Sequence, residues 1–267
     1  MAPPNDATSA SGDAGAPPND DPTPRDESRV RRVDPTEEDL VAAVLDWADA
    51  GDDHEATTES GEGDGSDSST ASVAAVTLDL DGTLVDYRRS PGAVLDRAFE
   101  RVGVAPLFPV DAYYDRFAEF ADRTDSMAEL RRACFAALAA DRGHDPALGR
   151  EVAAAFADER DHGNVAWCPG ARELVDTLAE RGVPTAVVTN GPPDAQREKL
   201  SAVGIDERIA TVVFASHDCP AKPSPEPVER ALAALDCDPT RAVHVGDAET
   251  DTASALAAGA RAVRVER

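Results

Sequence analysis

Lysine is the scarcest ionic residue in this chain of 267 amino acids, with two copies, Lys199 and Lys222, beside 24 arginines. Cations as a whole are few, since 52 acidic residues stand against 26 basic ones and the formal net charge is -26. So acidic a surface repels polyanions, which argues against nucleic acid and anionic membranes as partners. The chain also has no apolar run near the roughly 18–20 residues that a membrane-spanning helix requires.

Cysteine is sparse as well. The four copies form no C-x-x-C pair and show no spacing typical of a zinc site. They are too few for a disulfide scaffold, so we expect reduced, packed thiols. These residues are Cys134, Cys168, Cys219 and Cys237. The N-terminus lacks the basic and apolar regions of a secretory signal, and we therefore expect a cytoplasmic protein.

The preference for arginine over lysine, combined with abundant carboxylates, resembles the composition of proteins from salt-accumulating halophiles. At molar salt the Debye length falls to about 3 Å, so repulsion among acidic groups is largely screened. An acidic protein encoded by a GC-rich genome would show a similar bias, and this alternative stays open. We interpret the composition as halophilic.

The negative charge is unevenly distributed. Residues 1–70 hold 19 acidic and 4 basic residues, a net charge of -15, whereas residues 71–267 hold 33 and 22, a net charge of -11. The first segment is also rich in Pro, Gly and Ser, a composition that predicts a mostly disordered tail. Within it, the apolar spacing of TEEDLVAAVLDWADA predicts a short helix over 37–50, with Thr36 and Asp39 forming its N-terminal cap.

From residue 71 onward, strand-like and helix-like patterns alternate. Apolar runs predict strands within 72–80, 184–190, 211–215, 242–246 and 261–265. Helical periodicity appears at 171–182, 194–204, 225–235 and 250–259, with Gly182, Gly204 and Gly259 placed as C-terminal caps. This alternation predicts an α/β fold, in which a doubly wound, Rossmann-like parallel sheet is covered by helices on both faces.

The stretch from 86 to 165 interrupts the alternation. It reads as successive helices near 92–102, 111–123, 126–141 and 146–160, without a predicted strand. We therefore expect an all-helical cap at 86–165, inserted after the first strand of a core formed by 71–85 and 166–267.

Polar residues follow the predicted strands in four short segments. They are Asp79-Leu80-Asp81-Gly82-Thr83, Thr189-Asn190-Gly191, Lys222-Pro223, and Gly246-Asp247 with Asp251 four residues later. Because parallel sheets bind ligands at the carboxyl ends of their strands, we expect these residues to converge. His244, on the strand that precedes Gly246, is predicted to be packed and not a ligand.

This set of residue types suits metal-assisted phosphoryl transfer. A carboxylate can attack phosphorus, and a second one two residues later can exchange protons with the leaving group and with water. Further carboxylates supply the hard oxygen ligands of Mg²⁺, while a hydroxyl and an ammonium bind phosphoryl oxygens. Lys222 strengthens this interpretation, because a chain that uses arginine almost everywhere keeps a compact ammonium here.

With its four motifs in order over about 73–267, the chain resembles the haloacid dehalogenase (HAD) superfamily. The resemblance implies that Asp79 is the phosphorylated nucleophile and Asp81 the general acid and base. It implies that Thr189 and Asn190 hold the phosphoryl group and that Lys222 steadies both nucleophile and phosphate. Mg²⁺ would be held by Asp79, the Asp81 carbonyl and Asp247, with Asp251 supporting the metal or Lys222.

Residues that differ between branches of the superfamily reduce the number of activities that the resemblance allows. Dehalogenases lack an acid two residues after the nucleophile, whereas Asp81 is present. Phosphonate-cleaving relatives use a cap lysine, and 86–165 contains none. The stretch 189–200 is similar to the T-N-G-x-x-x-x-Q-x-x-K-[LI] pattern of the pyrimidine nucleotidase and N-acylneuraminate-9-phosphatase branch.

We therefore predict a Mg²⁺-dependent phosphatase that hydrolyses a nucleoside or sugar monophosphate, or a phosphoglycolate-like ester, through an aspartyl-phosphate. The small phosphorylated metabolite is its expected partner. A phosphomutase or a 2-haloacid dehalogenase of the same superfamily remains an alternative. So does a non-catalytic protein that recruits a basic partner through its acidic tail. Removal of 1–70 would separate the two roles, because hydrolysis should survive it and partner binding should not.

Overall fold

The computed structural model describes residues 27–36, 38–46, 73–121, 123–124, 126–205, 207–215 and 217–266. Its strands are β1 (Val30–Val33), β2 (Ala75–Leu78), β3 (Val85–Tyr87), β4 (Val165–Trp167), β5 (Thr185–Thr189), β6 (Thr211–Phe214), β7 (Ala242–Gly246) and β8 (Arg261–Val265). Its helices are α1 (Leu40–Leu45), α2 (Pro91–Val102), α3 (Val110–Asp115), α4 (Phe117–Ala121), α5 (Met127–Asp141), α6 (Pro146–Glu159), α7 (Ala171–Glu180), α8 (Pro193–Val203), α9 (Glu226–Ala234) and α10 (Glu249–Ala257).

Six strands form one parallel sheet in the order β1-β8-β7-β2-β5-β6. The inner strands β2, β5 and β7 are buried along their whole length, which is what a sheet covered on both faces requires. The strands predicted between 72 and 265 are all present, and the predicted α/β, Rossmann-like fold is confirmed.

Two apolar layers cover the sheet. One contains Leu78 of β2 with Leu174 and Leu178 of α7. The other contains Val188 of β5 with Leu232 of α9. The predicted glycine caps are also found, since Gly182, Gly204 and Gly259 all have positive φ at the ends of α7, α8 and α10. Each of these three helices therefore ends where the sequence places a glycine, which tolerates the left-handed conformation.

A separate cluster of helices, α2 to α6, lies within 86–165 and has its own apolar core. Phe135 stands at its centre, in edge-to-face contact with Phe108, Tyr113 and Phe156. A Cβ on Gly149 would lie 2.2 Å from the Phe135 carbonyl oxygen, so glycine at this position lets α6 approach α5 closely. The helices predicted in this stretch are present, except that the one predicted at 111–123 is broken into α3 and α4.

A short antiparallel ribbon of β3 and β4 joins this helical cluster to the sheet, although we expected no strand between 86 and 165. Tyr87 pairs with Val165, and Val85 with Trp167. Each strand has three residues, too few for an alternating pattern to stand out from the neighbouring loops.

The segment between 27 and 46 packs on the core, although sequence analysis placed it in the tail. β1 pairs in parallel with β8, and Val33, Leu40 and Val44 are buried in the same apolar cluster as α7. The helix predicted over 37–50 is observed as Leu40–Leu45. Of the two predicted cap residues, Asp39 is the N-cap, because its Oδ1 accepts from the N–H groups of Val41 and Ala42. Thr36 lies one turn earlier and does not cap the helix. The remainder of the predicted disordered tail lies outside the described residues.

All four cysteines are free thiols, as predicted, and Cys134 and Cys168 are buried. Among the described helices, none is both long enough and apolar enough to cross a bilayer.

Candidate active site

The four predicted segments meet at the carboxyl edge of the sheet. Asp79 follows β2, Thr189 ends β5, and Asp247 follows β7. Leu78 lies opposite Val187 on one side and Val245 on the other, which places the ends of three strands side by side. The structure therefore brings together the residues that sequence analysis selected.

Lys222 occupies the centre of the site. Its Nζ lies 2.6 Å from Asp79 Oδ1, 2.6 Å from Asp251 Oδ1 and 2.8 Å from the Val188 carbonyl oxygen. An ammonium has three hydrogens to donate, and these contacts use all of them. The Lys222 side chain is 2% exposed, so this cation is held in one place between two carboxylates.

The charges at this centre shift each other's ionisation. Burial raises the pKa of Asp79 to about 7; the negative charge of Asp251 adds to the rise, and Lys222 offsets part of it. Burial would lower the pKa of Lys222, but the two carboxylates outweigh it and hold that pKa above its ordinary value. Burial likewise opposes ionisation of Asp251, yet His244 and Lys222 hold its pKa below its ordinary value. Lys222 and Asp251 therefore form a stable ion pair.

Asp79, Asp247 and Asp251 are the described residues that fit a divalent cation. Each offers a carboxylate oxygen, and the three oxygens lie within 4.8 Å of one another. Hard oxygen donors of this kind suit Mg²⁺. Asp251 also accepts from Lys222 and, through Oδ2, from the N–H of Ala248 at 3.0 Å, so its orientation is set by the protein.

Gly82 makes room for the same carboxylate cluster. Its φ is +81°, and a Cβ at this position would lie 2.3 Å from Asp247 Oδ2. Glycine is therefore required here both by the left-handed backbone and by the close approach of Asp247. The hydroxyl of Thr83 donates to Asp247 Oδ1 at 3.3 Å, so the residues after Asp81 support the cluster from one side.

Asp81, two residues after Asp79, is held by a different pair of side chains. Lys199 Nζ lies 2.5 Å from its Oδ1, and Gln196 Nε2 donates to its Oδ2 over 2.6 Å. The side chain of Asp81 is 46% exposed, whereas that of Lys199 is 5% exposed. The carboxylate is thus anchored from beneath and still open to a ligand.

Thr189 and Asn190 differ in what they contact. Thr189 Oγ1 accepts hydrogen bonds from Gln196 Nε2 at 2.7 Å and from the N–H of Gly191 at 3.2 Å. With both acceptor positions used, its own hydroxyl hydrogen is directed elsewhere as a donor. Asn190 instead accepts from the Lys222 N–H at 2.9 Å and donates to the Lys222 carbonyl oxygen at 3.1 Å, so its side chain holds the Lys222 peptide.

Lys199 and Gln196 were not among the predicted site residues. Two signals were available. Lys199 is one of only two lysines in the chain, and the other is already in the site. The three-residue spacing between Gln196 and Lys199 places both on one face of α8. His244 is packed as predicted, fully buried with its Nδ1 2.8 Å from Thr77 Oγ1.

Comparisons with known proteins agree with this site. Residues 73–259 match the family model of the haloacid dehalogenase-like hydrolases. The chain is 29% identical over 221 residues to a phosphoserine phosphatase of Thermus thermophilus, covering 71% of this chain and 87% of that protein. It is 32% identical over 203 residues to a phosphoglycolate phosphatase of Rhodospirillum rubrum, covering 69% and 76%.

A solved structure supports the same assignment. The crystal structure of a HAD-superfamily hydrolase of subfamily IA from Geobacter sulfurreducens matches with a TM-score of 0.55 at 27% identity, covering 72% of this chain and 86% of that one. The chain belongs to the haloacid dehalogenase-like hydrolases. The predicted phosphatase branch and the enzyme class, a phosphoric monoester hydrolase, are confirmed.

Proposed function

We propose that this protein is a Mg²⁺-dependent phosphatase that hydrolyses a small phosphate monoester through an aspartyl-phosphate on Asp79. The observation that carries the proposal is that two carboxylates only two residues apart in the sequence, Asp79 and Asp81, lie in different environments. Asp79 lies in the buried cluster with Lys222, Asp247 and Asp251, whereas Asp81 is partly exposed and held by other partners. One carboxylate is thus placed to attack phosphorus and the other to exchange protons.

In the first half of the reaction, an Asp79 oxygen forms a bond to phosphorus and the bond from phosphorus to the leaving oxygen breaks. Asp81 donates a proton to that oxygen, which leaves as an alcohol. In the second half, Asp81 takes a proton from water, and the water oxygen attacks phosphorus. The bond from phosphorus to Asp79 breaks, which releases inorganic phosphate and restores the carboxylate.

The remaining residues bind and orient. The Thr189 hydroxyl donates to a phosphoryl oxygen, and Lys222 balances the charge of Asp79 while Asn190 holds its peptide in place. Asp79, Asp247, Asp251 and the Asp81 carbonyl would hold Mg²⁺. When bound, Mg²⁺ neutralises negative charge on the transferring phosphoryl group.

The expected substrates are nucleoside or sugar monophosphates and phosphoglycolate-like esters. Relatives named phosphoserine phosphatase and phosphoglycolate phosphatase add small carboxylated phosphate esters to this set. A panel of these compounds, assayed for phosphate release at high KCl, identifies the class that is hydrolysed fastest. Release of halide from a 2-haloacid, or isomerisation of a sugar phosphate without phosphate release, would instead favour the dehalogenase or the mutase.

Phosphate release from an aryl phosphate, with Mg²⁺ and with EDTA, tests the core of the proposal. We expect turnover with Mg²⁺, loss of turnover with EDTA, and at least a 10³-fold loss in Asp79→Asn, because the nucleophile is removed (on the order of magnitude seen for catalytic nucleophiles). Asp96→Asn, an exposed carboxylate on α2, is the matched control and should keep full activity. Wild type and Asp79→Asn that are equally inert would contradict the proposal.

A further inference from the structure

Both oxygens of the Asp81 carboxylate are bound by side chains from one helix, α8. Lys199 Nζ lies 2.5 Å from Oδ1 and Gln196 Nε2 lies 2.6 Å from Oδ2. Gln196 is fully buried and the Lys199 side chain nearly so, whereas Asp81 is partly exposed. A carboxylate with both oxygens anchored cannot rotate about its last side-chain bond, and each oxygen keeps a second acceptor position for a proton.

We propose that Lys199 and Gln196 are positioning residues that hold Asp81 in the orientation from which it protonates the leaving group. This inference rests on the proposed phosphatase function. Lys199 and Gln196 both contact the Asp81 carboxylate, and in this proposal their effect on the reaction passes through Asp81.

Gln196 links the acid to the phosphoryl-binding hydroxyl. One amide hydrogen goes to Asp81 Oδ2, and the other goes to Thr189 Oγ1 at 2.7 Å. A Cβ on Gly191 would lie 1.9 Å from Gln196 Nε2, so glycine is needed at this position for the amide to reach both partners. One buried amide thereby sets the distance between the Asp81 carboxylate and the Thr189 hydroxyl, which is the group proposed to bind the phosphoryl oxygen.

The surroundings of Lys199 suit a residue that holds its ammonium in a fixed position beside Asp81. Its Nζ lies 4.7 Å from the centre of the Tyr87 ring, which covers the ammonium from the side of the β3-β4 ribbon. The Tyr87 hydroxyl is in turn 2.6 Å from His162 Nδ1. In a chain with 24 arginines, the two lysines are both buried, and each pairs with one of the two reactive carboxylates, Lys222 with Asp79 and Lys199 with Asp81. Both places demand a compact ammonium that a planar guanidinium does not replace.

The test is the dependence of rate on the leaving group. A poor leaving group, such as an alkyl alkoxide, needs its proton during bond cleavage, whereas a good one, such as nitrophenolate, needs it little. We expect Lys199→Met and Gln196→Met to lower kcat/KM for alkyl phosphates by about 10²-fold or more, the range of general acid catalysis. For the nitrophenyl ester the loss should be small, so the plot of log kcat/KM against leaving-group pKa becomes steeper.

Two further variants make the result decisive. Asp81→Asn sets the slope expected when the acid is absent, and Arg197→Met, on the exposed face of α8, should keep the wild-type slope. Circular dichroism melting of each variant checks folding, and the two substitutions act on different oxygens, so either one suffices if the other does not fold. The ratio kcat/KM reports the steps up to cleavage of the ester bond, and hydrolysis of the aspartyl-phosphate therefore does not mask the effect.

Equal losses for all esters, or no loss, would overturn the inference, because an effect on structure alone does not depend on the leaving group. A gain for alkyl esters would also overturn it, since Lys199 and Gln196 would then hold Asp81 away from the substrate. If Asp81→Asn steepens the slope and the α8 variants do not, the inference fails and the proposed function stands. If wild type and Asp79→Asn are equally inert, the proposed function itself fails.

Discussion

At the residue scale, close contacts in the site mean that some positions accept only one type of residue. Gly82 combines a left-handed backbone with a carboxylate 2.3 Å from where its Cβ would stand. Gly103, at the end of α2, has nearly the same φ, +78°, but nothing within 4 Å of the equivalent point. The two glycines therefore separate the effect of backbone strain from the effect of crowding Asp247.

We predict that Gly82→Ala weakens Mg²⁺ binding and Gly103→Ala does not. Both substitutions place a Cβ on a left-handed backbone and should each cost about 1–2 kcal/mol of unfolding free energy. Only Gly82→Ala also displaces Asp247 from the metal-binding cluster. Isothermal titration with Mg²⁺ and urea unfolding measure the two effects, and equal Mg²⁺ affinity in both variants would contradict the expected role of Gly82.

His162 supplies a pH dependence away from the carboxylate cluster. Burial, together with the charges of Lys199 and Arg160, lowers the pKa of His162 below its ordinary value of 6.5. The unfolded chain then binds the extra proton more readily than the folded one, so stability rises with pH through the interval just below 6.5. We predict a fall in unfolding free energy between pH 7 and pH 5.5 that is smaller in His162→Gln, measured by urea unfolding at each pH. Parallel curves for the two proteins would show that His162 does not contribute.

At the element scale, the segment that carries β1 and α1 belongs to the folded body. β1 covers the edge of β8, and the side chain of Arg29 donates to the carbonyl oxygens of Gly259 and Ala260. Leu40 also packs where a Cβ on Gly170 would stand, at 3.3 Å, which fixes α1 against the start of α7. An unpaired β8 edge would expose backbone groups and apolar surface.

We predict that removing residues 1–70 destabilises the protein, whereas removing 1–26 does not. The longer deletion uncovers the apolar surface that Val33, Leu40 and Val44 bury, each worth about 1.5–3 kcal/mol. This changes the expectation from sequence, in which hydrolysis survives loss of the whole segment. Thermal melting and phosphatase activity of the two shortened chains test it, with Val44→Ala in the full chain as a point control that should cost about 1–3 kcal/mol. Equal melting temperatures for the two shortened chains would refute it.

The β3-β4 ribbon shows how one element can serve two parts of the molecule. It connects the sheet to the helices α2 to α6, and its Tyr87 ring contacts the cation that holds Asp81. A movement of the ribbon therefore moves the cover of Lys199.

At the scale of the whole molecule, the net charge is -26, because 52 acidic residues outnumber 26 basic ones and cannot all be neutralised by them. We propose that the surplus suits a salty solvent and predict that unfolding free energy rises as KCl is raised from 0.1 to 3 M. Screening of acidic repulsion is the cause, because the Debye length falls from about 10 Å to 3 Å or less over this range. Sucrose at matched osmolality is the control and should stabilise less. An equal or larger effect of sucrose would remove screening as the explanation.

The sequence by itself determined the sheet strands between 72 and 265, the flanking helices and the four segments of the site. These features are local: apolar runs, helical periodicity, glycine caps and polar residues directly after a strand are all read from neighbouring positions. Asp79 and Asp247 could be selected because each directly follows a predicted strand, and Lys222 because it is one of only two lysines in the chain. The parallel sheet then brings the strand ends together.

Only the tertiary structure decided which side chains act on one another. Lys199 reaches Asp81 across 118 positions of the chain, and β1 finds its place beside β8, more than 200 positions away. The contact of the Asn190 side chain with the Lys222 peptide likewise joins two separate segments, 32 positions apart in the chain. Such contacts depend on how the chain between two distant segments folds. A pattern of neighbouring residues does not predict which distant segments come together.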